Sequence, residues 1–114
     1  MAGCFVCFGR GRVGPGVADE PGWAAAAFLV DDELRVTVTT GRAAAPYVAG
    51  LLALRDGPLL EAAVRGLPVR PDVVLVNATG RDHPRRAGLA LHLGARLDVP
   101  SVGVTAQPLI ARGD

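Results

Sequence analysis

The chain opens on an apolar run over residues 2–8, Ala-Gly-Cys-Phe-Val-Cys-Phe, of the length and alternation that predict a β-strand. Residues 9–22, rich in glycine and proline, have too little apolar character to order themselves and read as a mobile loop. Two further β-type runs follow over 23–30 and 33–41, and the two residues between them, Asp31 and Asp32, suit a hairpin turn. The period then changes. Leu51, Leu52, Leu54, Leu59, Leu60 and Val64 recur at helical spacing within 46–67, interrupted at Gly57-Pro58, which predicts one kinked helix or two short ones. The β-branched run within 71–80 reads as a buried parallel strand, 83–97 as a helix with Pro84 near its first turn, and 100–106 as a last strand.

Three meandering antiparallel strands followed by two parallel ones, each reached by a helical crossover, make an α/β domain with a mixed five-stranded sheet and helices packed on it. Its order is that of a ribonuclease H-like arrangement. At 114 residues the chain is expected to form one domain over 1–114.

Composition narrows the function. Half of the residues are apolar and the formal net charge is +1, so no global field draws nucleic acid or an acidic membrane, and any such contact is local. All 12 basic residues are arginine. The sequence shows no apolar run of membrane-spanning length and no leader-like start, so a cytoplasmic protein is expected. Cys4 and Cys7, three apart on a strand, point to opposite faces and are read as free thiols. Cys7 shares a face with Phe5. It is either a buried inert residue, the favoured reading, or a nucleophile if its pKa is lowered.

The segment Arg-Asp-His-Pro-Arg-Arg over 81–86 raises a sharper question, because arginines at a helix start sit where the dipole already favours anions. Asp82 and His83 form a candidate acid/base pair, against the alternative that Asp82 merely caps the helix that His83 begins. Arg85 and Arg86 either hold an anion or decorate a solvated face. His92 is read as a packing residue and Trp23 as core or a subunit contact.

Three blocks, Pro46–Pro58, Asp72–Gly94 and Leu97–Leu109, resemble in order and interval those of the endonuclease V family, which nicks nucleic acid near deaminated purines. The resemblance implies a ribonuclease H-like core and a metal site of carboxylates. At the matching positions this sequence departs from the family pattern. Phe5 stands for the first-strand aspartate, Asp56 for the glutamate after an arginine, Asn77 for the aspartate closing the central strand, and Ala106 for a lysine. The family's later histidine has no counterpart. A lone carboxylate does not make a magnesium site, so no metal and no cofactor are expected. The resemblance leaves a base pocket largely in place, with Tyr47 in the wedge-like turn Pro46–Ala49 and Gly50, Leu51, Gly80, His83 and Gly88 around it.

The reading that follows is an endonuclease V-like protein without metal-dependent nuclease activity. It would bind a small organic molecule in the old base pocket and could transform it by metal-free acid/base chemistry at Asp56, Asn77, Asp82, His83 or Cys7. Phe5, Tyr47, Gly50, Leu51, Gly80, Arg85 and Gly88 would contact the ligand. The alternatives are a weak or dead binder of deaminated-base DNA or RNA, with phosphate contacts from Arg42, Arg81, Arg85 and Arg86, and a residual endonuclease V acting in repair. A homodimer is expected under each, because so short a core leaves apolar surface uncovered.

Overall fold

The computed structural model describes residues 1–9, 16, 18–46, 52–78 and 88–105. Three strands come first: β1 (Ala2–Phe8), β2 (Pro21–Val30) and β3 (Glu33–Arg42). Helix α1 (Leu52–Arg65), strand β4 (Val74–Val76), helix α2 (Leu89–Leu97) and strand β5 (Ser101–Gly103) follow. One five-stranded sheet results, in the order β3-β2-β1-β4-β5. Strands β1, β2 and β3 pair antiparallel, while β4 lies parallel to both β1 and β5. This is the ribonuclease H-like mixed sheet that the order of elements predicts.

The turn between β2 and β3 closes with Val30 opposite Glu33, and Asp31 and Asp32 both take positive φ, 51° and 64°. Two successive left-handed residues match the right-handed twist of the strands, and aspartate tolerates the conformation better than most side chains. Replacing Asp31-Asp32 by Asn-Gly, which adopts this turn most readily, is expected to stabilise the chain by about 0.5–1 kcal/mol, read as a higher urea midpoint with an unchanged slope.

Both helices pack on one face of the sheet. Ala2 and Cys4 of β1, Ala24, Ala26 and Phe28 of β2, and Val74 and Val76 of β4 point into this layer and meet Leu59, Leu60, Ala63 and Val64 of α1 and Leu89, Leu93 and Leu97 of α2. Gly22 and Gly41 pair across β2 and β3 and leave a notch for Leu59. A Cβ built on either glycine would lie 2.9 Å or 2.6 Å from a Leu59 methyl. The Thr37 hydroxyl donates to the Ala63 carbonyl at 2.7 Å, tying α1 to the edge strand.

The other face carries no helix among the described residues. Register places Val36, Ala27, Gly3, Leu75 and Val102 in one row across all five strands. Val38, Ala25 and Phe5 form the next row, then Thr40, Trp23 and Cys7.

Several expectations need correction. Helix α1 is described over Leu52–Arg65, with Pro46 outside it and residues 47–51 outside the described residues, and it runs unbroken through Pro58. The proline deprives only the Leu54 carbonyl of its partner, and both residues are exposed, so the loss falls on the solvent side. Helix α2 begins at Leu89 rather than at residue 83, because Gly88 sits extended before it (φ −71°, ψ 176°) and glycine is a poor helix former. Gly88, not Asp82, is therefore its N-cap, and its carbonyl accepts from the His92 N–H at 3.0 Å. His92 is exposed rather than packed in the core, since its turn of α2 faces away from the sheet beside Gly57 of α1. Trp23 is no core residue either, being 44% exposed on the helix-free face. Half of the loop expected over 9–22 lies outside the described residues, and its last two residues, Pro21 and Gly22, belong to β2, with the Gly9 N–H donating to the Pro21 carbonyl at 2.9 Å. No helix among the described residues is long and apolar enough to cross a membrane.

Candidate functional site

Parallel pairing between β1 and β4 ends at Cys4 and Val76. Beyond that point β1 continues, whereas β4 turns away. The Ala78 N–H donates back to the Val76 carbonyl at 2.8 Å, a three-residue turn centred on Asn77. The Val104 N–H donates to the same carbonyl at 2.8 Å. A cleft of about 190 Å³ opens where the two strands part, the position at the carboxyl end of a parallel strand where open α/β sheets receive ligands.

Apolar walls of this cleft come from Val6, Leu60, Val76 and Leu89, and its remaining edge from Cys4, Phe5, Asp56 and Asn77. Because β1 has lost its partner there, residues from both of its faces reach the opening. That explains why Phe5 lines it together with Cys4 and Val6, whose side chains point the other way. Phe5 is 55% exposed and Asn77 is exposed, while Asp56 is half-buried on the second turn of α1.

Burial pushes the Asp56 carboxyl up from the usual aspartate range to about 6, and the neighbouring Arg55 guanidinium only partly offsets this. An acid whose folded pKa is raised binds more protons folded than unfolded, so it lowers stability progressively as pH climbs from about 4 to about 6, and no further above that. Asp56→Asn is therefore expected to stabilise the protein by about 1 kcal/mol at pH 7–8, once solvent screening is allowed for, and to have no effect near pH 4. Urea midpoints across pH 4–8 measure it.

Arg55 itself is fixed. Its Nη2 donates to Glu20 Oε2 at 3.0 Å and its Nη1 to the Ala45 carbonyl at 3.1 Å, with the guanidinium 4.2 Å above the Phe8 ring. Arg55 and Glu20 are 4% and 9% exposed. Gly16 presses on this group so closely that a Cβ there would lie 2.5 Å from Nη2. The start of α1, and with it Asp56, is thereby pinned to the end of β1 and the chain entering β2.

Of the residues singled out from sequence, Phe5, Asp56 and Asn77 thus border one cleft. Gly88 caps the helix whose first residue, Leu89, forms a wall. Cys7 does not reach the cleft and is exposed, which corrects the expectation that it is buried: its side of β1 is the face without helices. The thiol at the cleft is Cys4, a residue the sequence reading left aside. Burial raises its pKa to about 11, so it remains a thiol, with Sγ 3.6 Å from the Leu75 carbonyl. Arg42 reaches the Asp19 carbonyl at 3.0 Å, so it serves the base of the loop. Tyr47, Gly50, Leu51, Gly80, Arg81, Asp82, His83, Arg85, Arg86 and Ala106 lie outside the described residues.

The family model described as Endonuclease V matches residues 17–114. Endonuclease V of Streptomyces coelicolor is 44% identical over 108 residues, covering 88% of this chain and 46% of that protein. Endonuclease V of Desulfurococcus amylolyticus is 45% identical over 76 residues, 67% of this chain and 35% of its own. The chain thus spans less than half the length of these relatives. Among solved structures, endonuclease V of Streptomyces avermitilis superposes with a TM-score of 0.83 at 34% identity, covering 96% of this chain and 46% of that one.

Proposed function

Because the chain belongs to the endonuclease V family, we propose that its cleft has exchanged the family's metal-dependent phosphodiester chemistry for metal-free binding of a small, planar organic ring. The observation that carries this is the donor set. Among the described residues Phe5, Asp56 and Asn77 border one cleft, and of these three only Asp56 offers an anionic oxygen. Mg²⁺ and Mn²⁺ take six oxygen ligands, and a pair of such ions clamping a scissile phosphate shares more carboxylates than the one that the described residues supply here. Among the described residues no three His, Cys, Asp or Glu side chains converge on a point.

What the residues can do instead follows from their chemistry. The Phe5 ring offers a flat apolar wall, the Asn77 amide both donates and accepts, and the Asp56 carboxyl exchanges its proton near pH 6. A polar edge on one side of an apolar slot suits a heterocycle whose ring nitrogens and carbonyls face Asp56 and Asn77. Asp56 could then pass a proton to a ring atom or take one from it. Asp82, His83, Tyr47 and Arg85 remain candidates for the rest of the pocket. Free Cys4 and Cys7 accord with a reducing cytoplasm as the place of action.

Hypoxanthine and inosine, titrated calorimetrically in EDTA, test the proposal. A dissociation constant on the order of 0.1–1 mM is expected for so small a slot, with binding that changes as pH crosses 6 and loses that change in Asp56→Asn. Absence of binding by both compounds, or binding that requires Mn²⁺, contradicts it.

A residual endonuclease is the second reading, favoured by family membership and by the acid retained at Asp56. It predicts Mn²⁺-dependent nicking of inosine-containing DNA that disappears in Asp56→Asn. Binding to such DNA without nicking, weakening steeply with salt, would instead mark a nucleic-acid binder.

A further inference from the structure

Beside the cleft this chain already holds a planar cation of its own. The Arg55 guanidinium donates to the Glu20 carboxylate at 3.0 Å and to the Ala45 carbonyl at 3.1 Å, and its central carbon lies 4.2 Å from the centroid of the Phe8 ring. Such a group is held by acceptors for its N–H donors and by the negative face of a ring for its charge. The cleft offers the same three surfaces from other residues: the Asp56 carboxylate, the Asn77 side-chain carbonyl and the exposed Phe5 ring. Its charge is also one-sided. Asp56 is the one anion among the described lining residues, set against the apolar walls of Val6, Leu60, Val76 and Leu89, and a pKa of about 6 leaves it mostly ionised at neutral pH. Other acids whose side chains the fold largely covers are paired, Glu20 with Arg55 and Glu61 with Arg65 and Arg96. Asp56 makes no hydrogen bond or ion pair with a described residue. An anion partly removed from water is stabilised by a cation brought against it.

On the footing that the cleft binds a planar ring without metal, we propose that it selects a planar organic cation with an amidine-type edge over a neutral ring of the same shape. Two N–H groups of that edge pair with the Asp56 carboxylate, a further N–H meets the Asn77 oxygen, and the ring lies against Phe5, repeating with a ligand what Glu20, Ala45 and Phe8 do with Arg55. The volume of about 190 Å³ limits the ligand to one small ring system. Amidines, guanidines and protonated aminopyridines have this edge. A planar anion meets the Asp56 charge and is refused.

Calorimetric titration of the full chain in EDTA at neutral pH with benzamidine, with its neutral counterpart benzamide and with benzoate provides the test, and hypoxanthine and inosine titrated alongside report on metal-free ring binding itself. Benzamidine is expected to bind at least ~10-fold more tightly than benzamide, and benzoate to give no binding heat. In Asp56→Asn, which replaces the carboxylate by a neutral amide of the same shape, the two affinities are expected to fall within about twofold of each other. Equal binding of benzamidine and benzamide by the parent, or a preference that survives Asp56→Asn, overturns the cation preference, while hypoxanthine binding in the same samples leaves the metal-free ring site standing. Absence of benzamidine binding overturns the preference too. If hypoxanthine and inosine also fail to bind, the ring site falls with it.

Discussion

Glu20→Ala is expected to cost about 3–5 kcal/mol of folding stability, the largest loss foreseen for any single side chain at the periphery of this fold. The carboxylate of Glu20 lies 3.0 Å from Arg55 Nη2, and both groups are almost wholly buried. Removing it takes the carboxylate away from a guanidinium held beneath Gly16 and above Phe8, whose Nη1 still donates to the Ala45 carbonyl. Taking one partner from a buried ion pair costs more than the pair contributes, so the effect measures disruption rather than the worth of the bridge. A protein of this size has about 5–15 kcal/mol in all, and the variant would approach the unfolding threshold. Glu20→Gln, which keeps an acceptor oxygen for Nη2, is expected to lose less than half as much. Denaturant titration of the two variants reads the difference. Equal losses would mean that the charge of Glu20 is what matters and that a neutral acceptor oxygen in the same place does not replace it.

The second large effect is a gain. Phe5→Asp combined with Asn77→Asp adds two carboxylates to the cleft that Asp56 borders, where three like charges repel in partly desolvated surroundings. The double variant is expected to melt below the parent in EDTA. Mn²⁺ at 10 mM is then expected to return about 1–3 kcal/mol to the variant, as binding to the folded state alone requires for a dissociation constant on the order of 0.1–1 mM, and to return nothing to the parent. Thermal melts with and without Mn²⁺ check both. A variant as indifferent to Mn²⁺ as the parent would show that the backbone no longer sets these positions at ligating distance. The identity of Phe5 and Asn77 would then not be what excludes the cation.

How far the sequence anticipates this molecule depends on the kind of signal each element carries. Strand β1 is legible to the residue, since period-two packing needs only its own neighbours. The β2–β3 hairpin is equally plain, because two aspartates between β-branched runs leave little choice of turn. Helix boundaries are less so. Pro58 looks like a break, yet the carbonyl it deprives of a partner belongs to the exposed residue Leu54; and the start of α2 is set by extended Gly88 rather than by Asp82 or Pro84. Intrinsic preference could not decide between these sites without the packing of Leu89 and Leu93 on the sheet.

At the cleft, the resemblance to a family points to Phe5 on the first strand and to Asp56 and Asn77 in two of the matching blocks, and the fold sets them around one opening. Cys4 was missed for a geometric reason. Alternation assigns it to the face opposite Phe5, and only the parting of β1 from β4 brings both faces to the same space. Arg55 and Glu20 were missed because 35 residues separate them and no local pattern links an acid in a glycine-rich loop to an arginine on a helix. Burial of Trp23 and Cys7 is overestimated because both lie on the sheet face that no described helix covers, and that of His92 because it lies on the side of α2 turned away from the sheet.

The claim on which the functional reading depends is that Asp56, the one carboxylate at this cleft among the described residues, cannot hold a catalytic cation. Titrating the unmodified protein with Mn²⁺, followed by the paramagnetic resonance of the free ion, with inosine-containing DNA present to report nicking, tests it most directly. The account predicts no saturable site below about 10 mM and no nicked product. A single Mn²⁺ bound with sub-millimolar affinity, lost together with nicking in Asp56→Asn, would contradict it.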